Sequence, residues 1–149
     1  FVMSQPIEQP SKINTETDAD KSEVIIIDDD QSFSFMLKDY LQSTLDIKSE
    51  LFSNGNDFLS KYKSNDSRKI ILDYEFDVGP NGLVVLQLIK EINPLAIIIV
   101  VSAQDDLEKA LETIRQGATD YFLKTNKTVF ANIVSSLLKL KELEKNKLN

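Results

Sequence analysis

The chain has 149 residues, 42% of them hydrophobic and 28% charged, enough for one domain with a core and too short for two of ordinary size plus a linker. It contains no cysteine and no histidine, which removes disulfides, thiolate catalysis, Cys- or His-ligated metal and any histidine general base or phosphohistidine of its own. A formal net charge of -7 argues against a nucleic-acid-binding face, where affinity rests on Lys and Arg neutralising phosphates.

Residues 1 to 22 are rich in Ser, Thr, Gln, Asp and Lys, carry Pro6 and Pro10, and show no sustained period. This segment reads as a tail or linker, with one globular domain over residues 23 to 147. Val24-Ile25-Ile26-Ile27 then forms a short β-branched run that ends in Asp28-Asp29-Asp30. Runs of this kind read as buried parallel strands. Phe33, Met36, Leu37, Tyr40 and Leu41 fall at the spacing of a helix stripe facing a core, and Asp30 suits the N-cap of that helix.

A weaker strand near Ile47 to Phe52 precedes the turn Asn54-Gly55 and a short helix with Phe58, Leu59 and Tyr62. Ile70-Ile71-Leu72 ends in Asp73, and a loop containing Gly79-Pro80-Asn81-Gly82 leads to a helix with Leu83, Leu86 and Ile89 that stops before Pro94. The run Ile97 to Val101 ends in Ser102; Leu107, Ala110, Leu111 and Ile114 mark a helix closing at Gly117. Tyr121-Phe122-Leu123 ends in Lys124, and Phe130, Ile133, Val134, Leu137 and Leu138 mark a final helix. Five strand-helix units in succession predict an α/β fold with a parallel sheet and helices on both faces. The longest apolar run, Leu95 to Val101, is far short of a membrane span, so neither a membrane nor a secretory route is indicated, and the cytoplasm is the expected compartment.

Ligand sites in open α/β sheets lie at the carboxyl ends of the strands. The residues standing there are the acids Asp28 and Asp29, Asp73, the hydroxyl of Ser102 and the ammonium of Lys124. An Asp before a loop, a capping Ser or a solvated Lys is individually common. Their joint occurrence at four strand ends is not. Adjacent carboxylates repel one another unless a cation neutralises them, and Mg2+ takes hard oxygen ligands from one or two carboxylates, a role Asp29 and Asp73 suit.

The stretches Ile25-Ile26-Ile27-Asp28-Asp29-Asp30, Ile70-Ile71-Leu72-Asp73-Tyr74, Val101-Ser102-Ala103-Gln104-Asp105-Asp106 and Gly117-Ala118-Thr119-Asp120-Tyr121-Phe122-Leu123-Lys124 resemble the receiver (phosphoacceptor) domains of two-component response regulators. The resemblance implies a flavodoxin-like (βα)5 sandwich with a five-stranded parallel sheet in the order 2-1-3-4-5. It implies phosphorylation of Asp73 by a sensor histidine kinase or phosphotransfer protein, and a signalling domain that catalyses only its own phosphorylation and dephosphorylation. Asp28, Asp29, Asp73 and the backbone carbonyl of Glu75 would hold Mg2+. Ser102 would hydrogen-bond the phosphoryl group, Lys124 would pair with it, Ala103 would leave it room, and Tyr121 would swing inward on activation. The helix from Leu107 to Ile114, the strand from Asp120 to Leu123 and the final helix would form the partner or homodimer face.

Two departures from the family pattern stand out. Asp77 takes the place of the usual Pro four residues after the acceptor, and Gly82 stands nine residues on rather than eight, making a longer, more acidic loop. Thr125 replaces the usual Pro after Lys124. A cis bond without proline costs about 2.5 to 4 kcal/mol, so a trans bond is expected. Ile27-Asp28-Asp29-Asp30-Gln31-Ser32 also resembles the nucleophile loop of haloacid-dehalogenase-like phosphatases, which would make Asp28 the nucleophile. That family needs a further acidic pair after its Lys, and after Lys124 come only Thr125-Asn126-Lys127-Thr128 and a helix. A receiver-like interaction module that is never phosphorylated is the third alternative.

Overall fold

The computed structural model describes residues 22–147; the predicted tail falls, apart from Ser22, outside the described residues. Five parallel strands, β1 (Val24–Ile27), β2 (Ser49–Phe52), β3 (Lys69–Asp73), β4 (Ile98–Ser102) and β5 (Asp120–Leu123), form one sheet in the order β2-β1-β3-β4-β5. The helices are α1 (Gln31–Leu45), α2 (Gly55–Leu59), α3 (Gly82–Ile92), α4 (Leu107–Arg115) and α5 (Val129–Lys147). The three central strands read as continuous apolar runs because helices cover both faces of the sheet.

Alternate side chains of each strand go to opposite faces. Ile25, Ile27, Ile70, Leu72, Ile98 and Val100 pack with Phe58 of α2 and Val85, Leu86 and Ile89 of α3. Val24, Ile26, Ile71, Ile99 and Val101 pack with Leu37 and Leu41 of α1 and Ile133, Val134 and Leu137 of α5. Burying each such side chain contributes about 1.5 to 3 kcal/mol, so these two layers carry most of the fold. Phe130 of α5 meets the Phe33 and Tyr40 rings of α1, each at 5.4 Å between centroids.

Helix ends follow the expected chemistry. The Asp30 carboxylate accepts the Phe33 N–H at 3.1 Å and caps α1, and Gly117 follows α4 with φ 114°, a left-handed conformation glycine adopts without penalty. Five stripe residues depart from the sequence pattern: Met36 and Leu138 point outward, and α4 buries Thr113 while Leu107, Leu111 and Ile114 stay exposed. A narrow contact with β5 leaves the apolar side of α4 without an internal counterpart. At the amino-terminal end of the sheet Arg68 holds Glu50 at 2.9 Å, Asp66 at 2.7 Å and the Ser22 hydroxyl at 2.7 Å, so Ser22 is built into the fold.

Register places the strand-end residues. Ile27 pairs with Leu72, Asp73 with Val101, and Ser102 with Leu123. Asp28, Asp73, Ser102 and Lys124 therefore emerge in one row along the carboxyl edge. The loop after β3 closes through Gly82, whose N–H donates to the Tyr74 carbonyl at 2.7 Å. A Cβ at Gly82 would run into the Asp73 carbonyl and lie 2.6 Å from the Tyr74 Cα. Thus the longer loop still returns a glycine against the acceptor strand. Gly82→Ala is expected to lower stability by about 1 to 3 kcal/mol, the usual range for overpacking against unyielding atoms; an unchanged urea midpoint would show that the backbone yields freely there.

Candidate functional site

Asp28 and Asp73 are buried and Asp29 half-buried at the row's centre, and one carboxylate oxygen from each lies within 4.8 Å of the others. The Lys124 ammonium reaches across from the end of β5 to Asp28 Oδ2 at 2.7 Å and Asp73 Oδ2 at 3.3 Å. It also lies 4.6 Å from the centre of the Phe33 ring, a cation–π contact that steadies the side chain. The Lys124 N–H donates to the Ser102 carbonyl at 2.8 Å, extending the β4–β5 pairing by one step. The Lys124–Thr125 peptide is trans, as is every peptide bond among the described residues.

The other acid oxygens are held by backbone donors. Asp28 Oδ1 accepts the Asp30 N–H at 2.8 Å, Asp73 Oδ1 accepts the Glu75 N–H at 3.3 Å, and Asp29 Oδ2 accepts the Asp77 N–H at 3.0 Å. Asp77, at the place where proline was absent, thus uses its free N–H to hook the loop onto an acid of the cluster.

These contacts leave the cluster short of positive charge. Burial and the neighbouring Asp28 charge push the Asp73 carboxyl up to about 8, against the offsetting pull of Lys124. Burial likewise raises Asp28, with Lys124 and the Asp30 N–H working against the rise. For Lys124 burial acts downward, but Asp28 and Asp73 outweigh it and hold the ammonium above its ordinary value. Three hard carboxylates with one lysine are a donor set suited to a divalent cation of the Mg2+ type.

Ser102 is fully buried and Ala103 is exposed. Their polar groups meet one side chain that sequence reasoning missed. The Ser102 hydroxyl donates to Glu75 Oε2 at 2.8 Å, and the Ala103 N–H donates to Glu75 Oε1 at 3.2 Å. The sequence marks Glu75 as a backbone donor and as added negative charge near the site; an acid two residues beyond Asp73, on a loop bordering the site, is the one signal for this contact. Tyr121 packs against the core with its hydroxyl buried. Burial raises its pKa, partly offset by the nearby Ser102 hydroxyl.

The chain matches the family described as response regulator receiver domain over residues 24–134. It is 32% identical over 101 residues to the DNA-binding transcriptional regulator NtrC of Salmonella typhimurium, an alignment covering 68% of this chain and 21% of that protein. The chain therefore spans about a fifth of the length of this relative. It is 31% identical over 102 residues to the chemotaxis protein CheY of Thermotoga maritima, covering 68% of this chain and 83% of that one. A CheY-like receiver domain protein from Methanospirillum hungatei superposes with a TM-score of 0.71 at 21% identity, over 84% of this chain and 98% of the other. At that identity the likeness speaks to the fold.

Proposed function

Because the chain belongs to the response regulator receiver domain family, we propose that it is a phosphoacceptor switch, taking a phosphoryl group on Asp73 from the phosphohistidine of a sensor histidine kinase or phosphotransfer protein. The observation that carries the reading is the surroundings of Asp73: an ammonium at 3.3 Å, two further acids within 4.8 Å, and a hydroxyl and an amide beside it already gathered on an anion. The phosphohistidine belongs to the other protein, since this chain has no histidine.

In the transfer, an Asp73 oxygen bonds to phosphorus as the phosphorus–nitrogen bond breaks and its electron pair returns to the donor imidazole. Such reactions are accelerated mainly by positioning and charge neutralisation. Mg2+ held by Asp28, Asp29 and Asp73, with the Glu75 backbone carbonyl as a further donor, would offset charge on the phosphoryl oxygens. Lys124 needs little movement to pair with the new group. Ser102 turns its hydroxyl to a phosphoryl oxygen, Ala103 adds no bulk in the way, and Tyr121 follows the β4–α4 loop. The chain is then a regulatory switch with slow self-dephosphorylation rather than a turnover enzyme, and a cytoplasmic setting fits its lack of cysteine. No helix among the described residues is long and apolar enough to cross a membrane.

The test is a small phosphodonor such as acetyl phosphate with Mg2+, followed by intact mass. Gain of one phosphoryl group supports the reading; no gain rejects it in favour of an interaction module that is not phosphorylated. The phosphatase alternative would instead require turnover of small phosphate esters through Asp28, which is held by Lys124 and the Asp30 N–H.

The readout surface is the α4–β5–α5 face. Leu107, Leu111 and Ile114 are 72%, 47% and 44% exposed, a patch suited to a second copy or a partner. With a net charge of -7, DNA contact is not expected of this domain. Phosphorylated protein is expected to move toward a dimer in light scattering, and Leu111→Glu to prevent it; a phosphorylated chain that stays monomeric would assign the face to a different partner.

A further inference from the structure

We propose that Glu75 is an internal occupant of the phosphoryl-oxygen seats, its carboxylate filling the two donors that a phosphoryl group on Asp73 must win before it can settle. The inference rests on the phosphoacceptor reading and adds a regulatory element to it. The Ser102 hydroxyl has one proton to give, and of its two acceptors Glu75 Oε2 at 2.8 Å is much nearer than the Gln104 carbonyl at 3.4 Å. The same hydroxyl oxygen accepts the Gln104 N–H at 3.0 Å, which fixes its orientation. The Ala103 amide also has one proton, directed to Glu75 Oε1 at 3.2 Å. Neither donor can serve Glu75 and a phosphoryl oxygen fully at the same time.

The two donors therefore form a seat for a bidentate anion, and the carboxylate meets the same requirement that phosphoryl oxygens would. Glu75 is well placed to hold it. Its own N–H is tied to Asp73 Oδ1 at 3.3 Å, so its backbone is anchored beside the acceptor while its half-buried side chain can leave toward solvent. The seat is thus filled without phosphorylation, and phosphorylation exchanges one anion for another. The consequence is a higher threshold for charging the site and a Ser102 already oriented before any phosphoryl group arrives.

Beryllium fluoride with Mg2+, which stands in for the phosphoryl group, measures the threshold. Glu75→Ala is expected to bind it about tenfold more tightly than the natural chain, because charge-assisted hydrogen bonds need no longer be broken. Glu75→Gln, which keeps the shape and an acceptor oxygen without the charge, should fall between the two. A second reading needs neither metal nor phosphodonor: in metal-free protein, Glu75→Ala should shift the Ala103 and Gln104 amide resonances while leaving those of α2 and α5 in place. Unchanged beryllium fluoride affinity together with unmoved Ala103 and Gln104 amides, in a protein that acetyl phosphate does charge, would overturn the occupancy and leave the phosphoacceptor reading standing. A natural chain that acetyl phosphate does not charge would overturn that reading, and the metal-free resonances would still decide whether Glu75 fills the seat.

Discussion

Asp73→Asn is expected to abolish the phosphoryl adduct that acetyl phosphate and Mg2+ leave on the natural chain, a loss of at least about two orders of magnitude in rate for removal of a nucleophile. Three buried or half-buried acids share the site, and their contacts distinguish them. Asp28 is held most tightly, with Lys124 at 2.7 Å on one oxygen and the Asp30 N–H at 2.8 Å on the other. Asp29 is drawn toward the loop by the Asp77 N–H at 3.0 Å. Asp73 has the longer contacts, 3.3 Å to both Lys124 and the Glu75 N–H, and its strand pairs directly with the one that ends in Ser102. Asparagine preserves size and can still accept the Glu75 N–H, so the fold should stand while the attacking carboxylate is gone. Intact mass on the two proteins decides. An adduct surviving on Asp73→Asn would move the acceptor to Asp28 or Asp29.

The same substitution should flatten the pH dependence of stability in metal-free protein. Asp73 is pushed up to about 8 in the fold from an ordinary value of 3.8. Between those values the folded chain keeps a proton that the unfolded chain gives up. The stability this proton contributes is complete below about pH 4 and is lost as pH rises through the folded value. Asp28, also raised, acts in the same direction. Lys124, held above its ordinary value, loses its contribution only at far more alkaline pH. With no histidine in the chain, the slope between pH 5 and pH 8 reports chiefly on this acidic pair. Urea unfolding in EDTA is therefore expected to show natural protein less stable at pH 8 than at pH 5. Asp73→Asn should be flatter and more stable than the natural chain at pH 8 by about 1 to 3 kcal/mol, less than the full shift because Asp28 and Lys124 readjust. Mg2+ should restore the natural chain far more than the variant. A natural chain indifferent to pH over this range would contradict the raised acid pair.

Much of this site is legible in the amino-acid sequence. The residues at four strand ends were identifiable because buried parallel strands are short apolar runs, and the first polar residue after each run marks the carboxyl edge of the sheet. Asp30 was readable as a cap and Gly117 as a helix end because both depend on local backbone chemistry. The α4 stripe was recognisable as helical, but its destination was not. Leu107, Leu111 and Ile114 have the spacing of a core face, yet they meet solvent because β5 at the sheet edge offers α4 too little surface. Met36 and Leu138 illustrate the same point: helical spacing says which residues share a side, while the packing of α1 and α5 decides how wide the buried side is.

What the sequence determined by itself was which chemical groups exist and at which strand end each one stands, since side-chain identity and local periodicity need no neighbour from elsewhere in the chain. Only the tertiary structure decided how those groups relate. Strand order and register brought acids from β1 and β3 beside a lysine from β5, over sequence separations that no local pattern spans. Burial then raised Asp73 to about 8, a consequence of lost hydration that composition cannot express. Most of all, the fold turned the Glu75 side chain back onto Ser102 and Ala103. In sequence it is one more acid in a loop, and its partners are defined only where two strand ends meet.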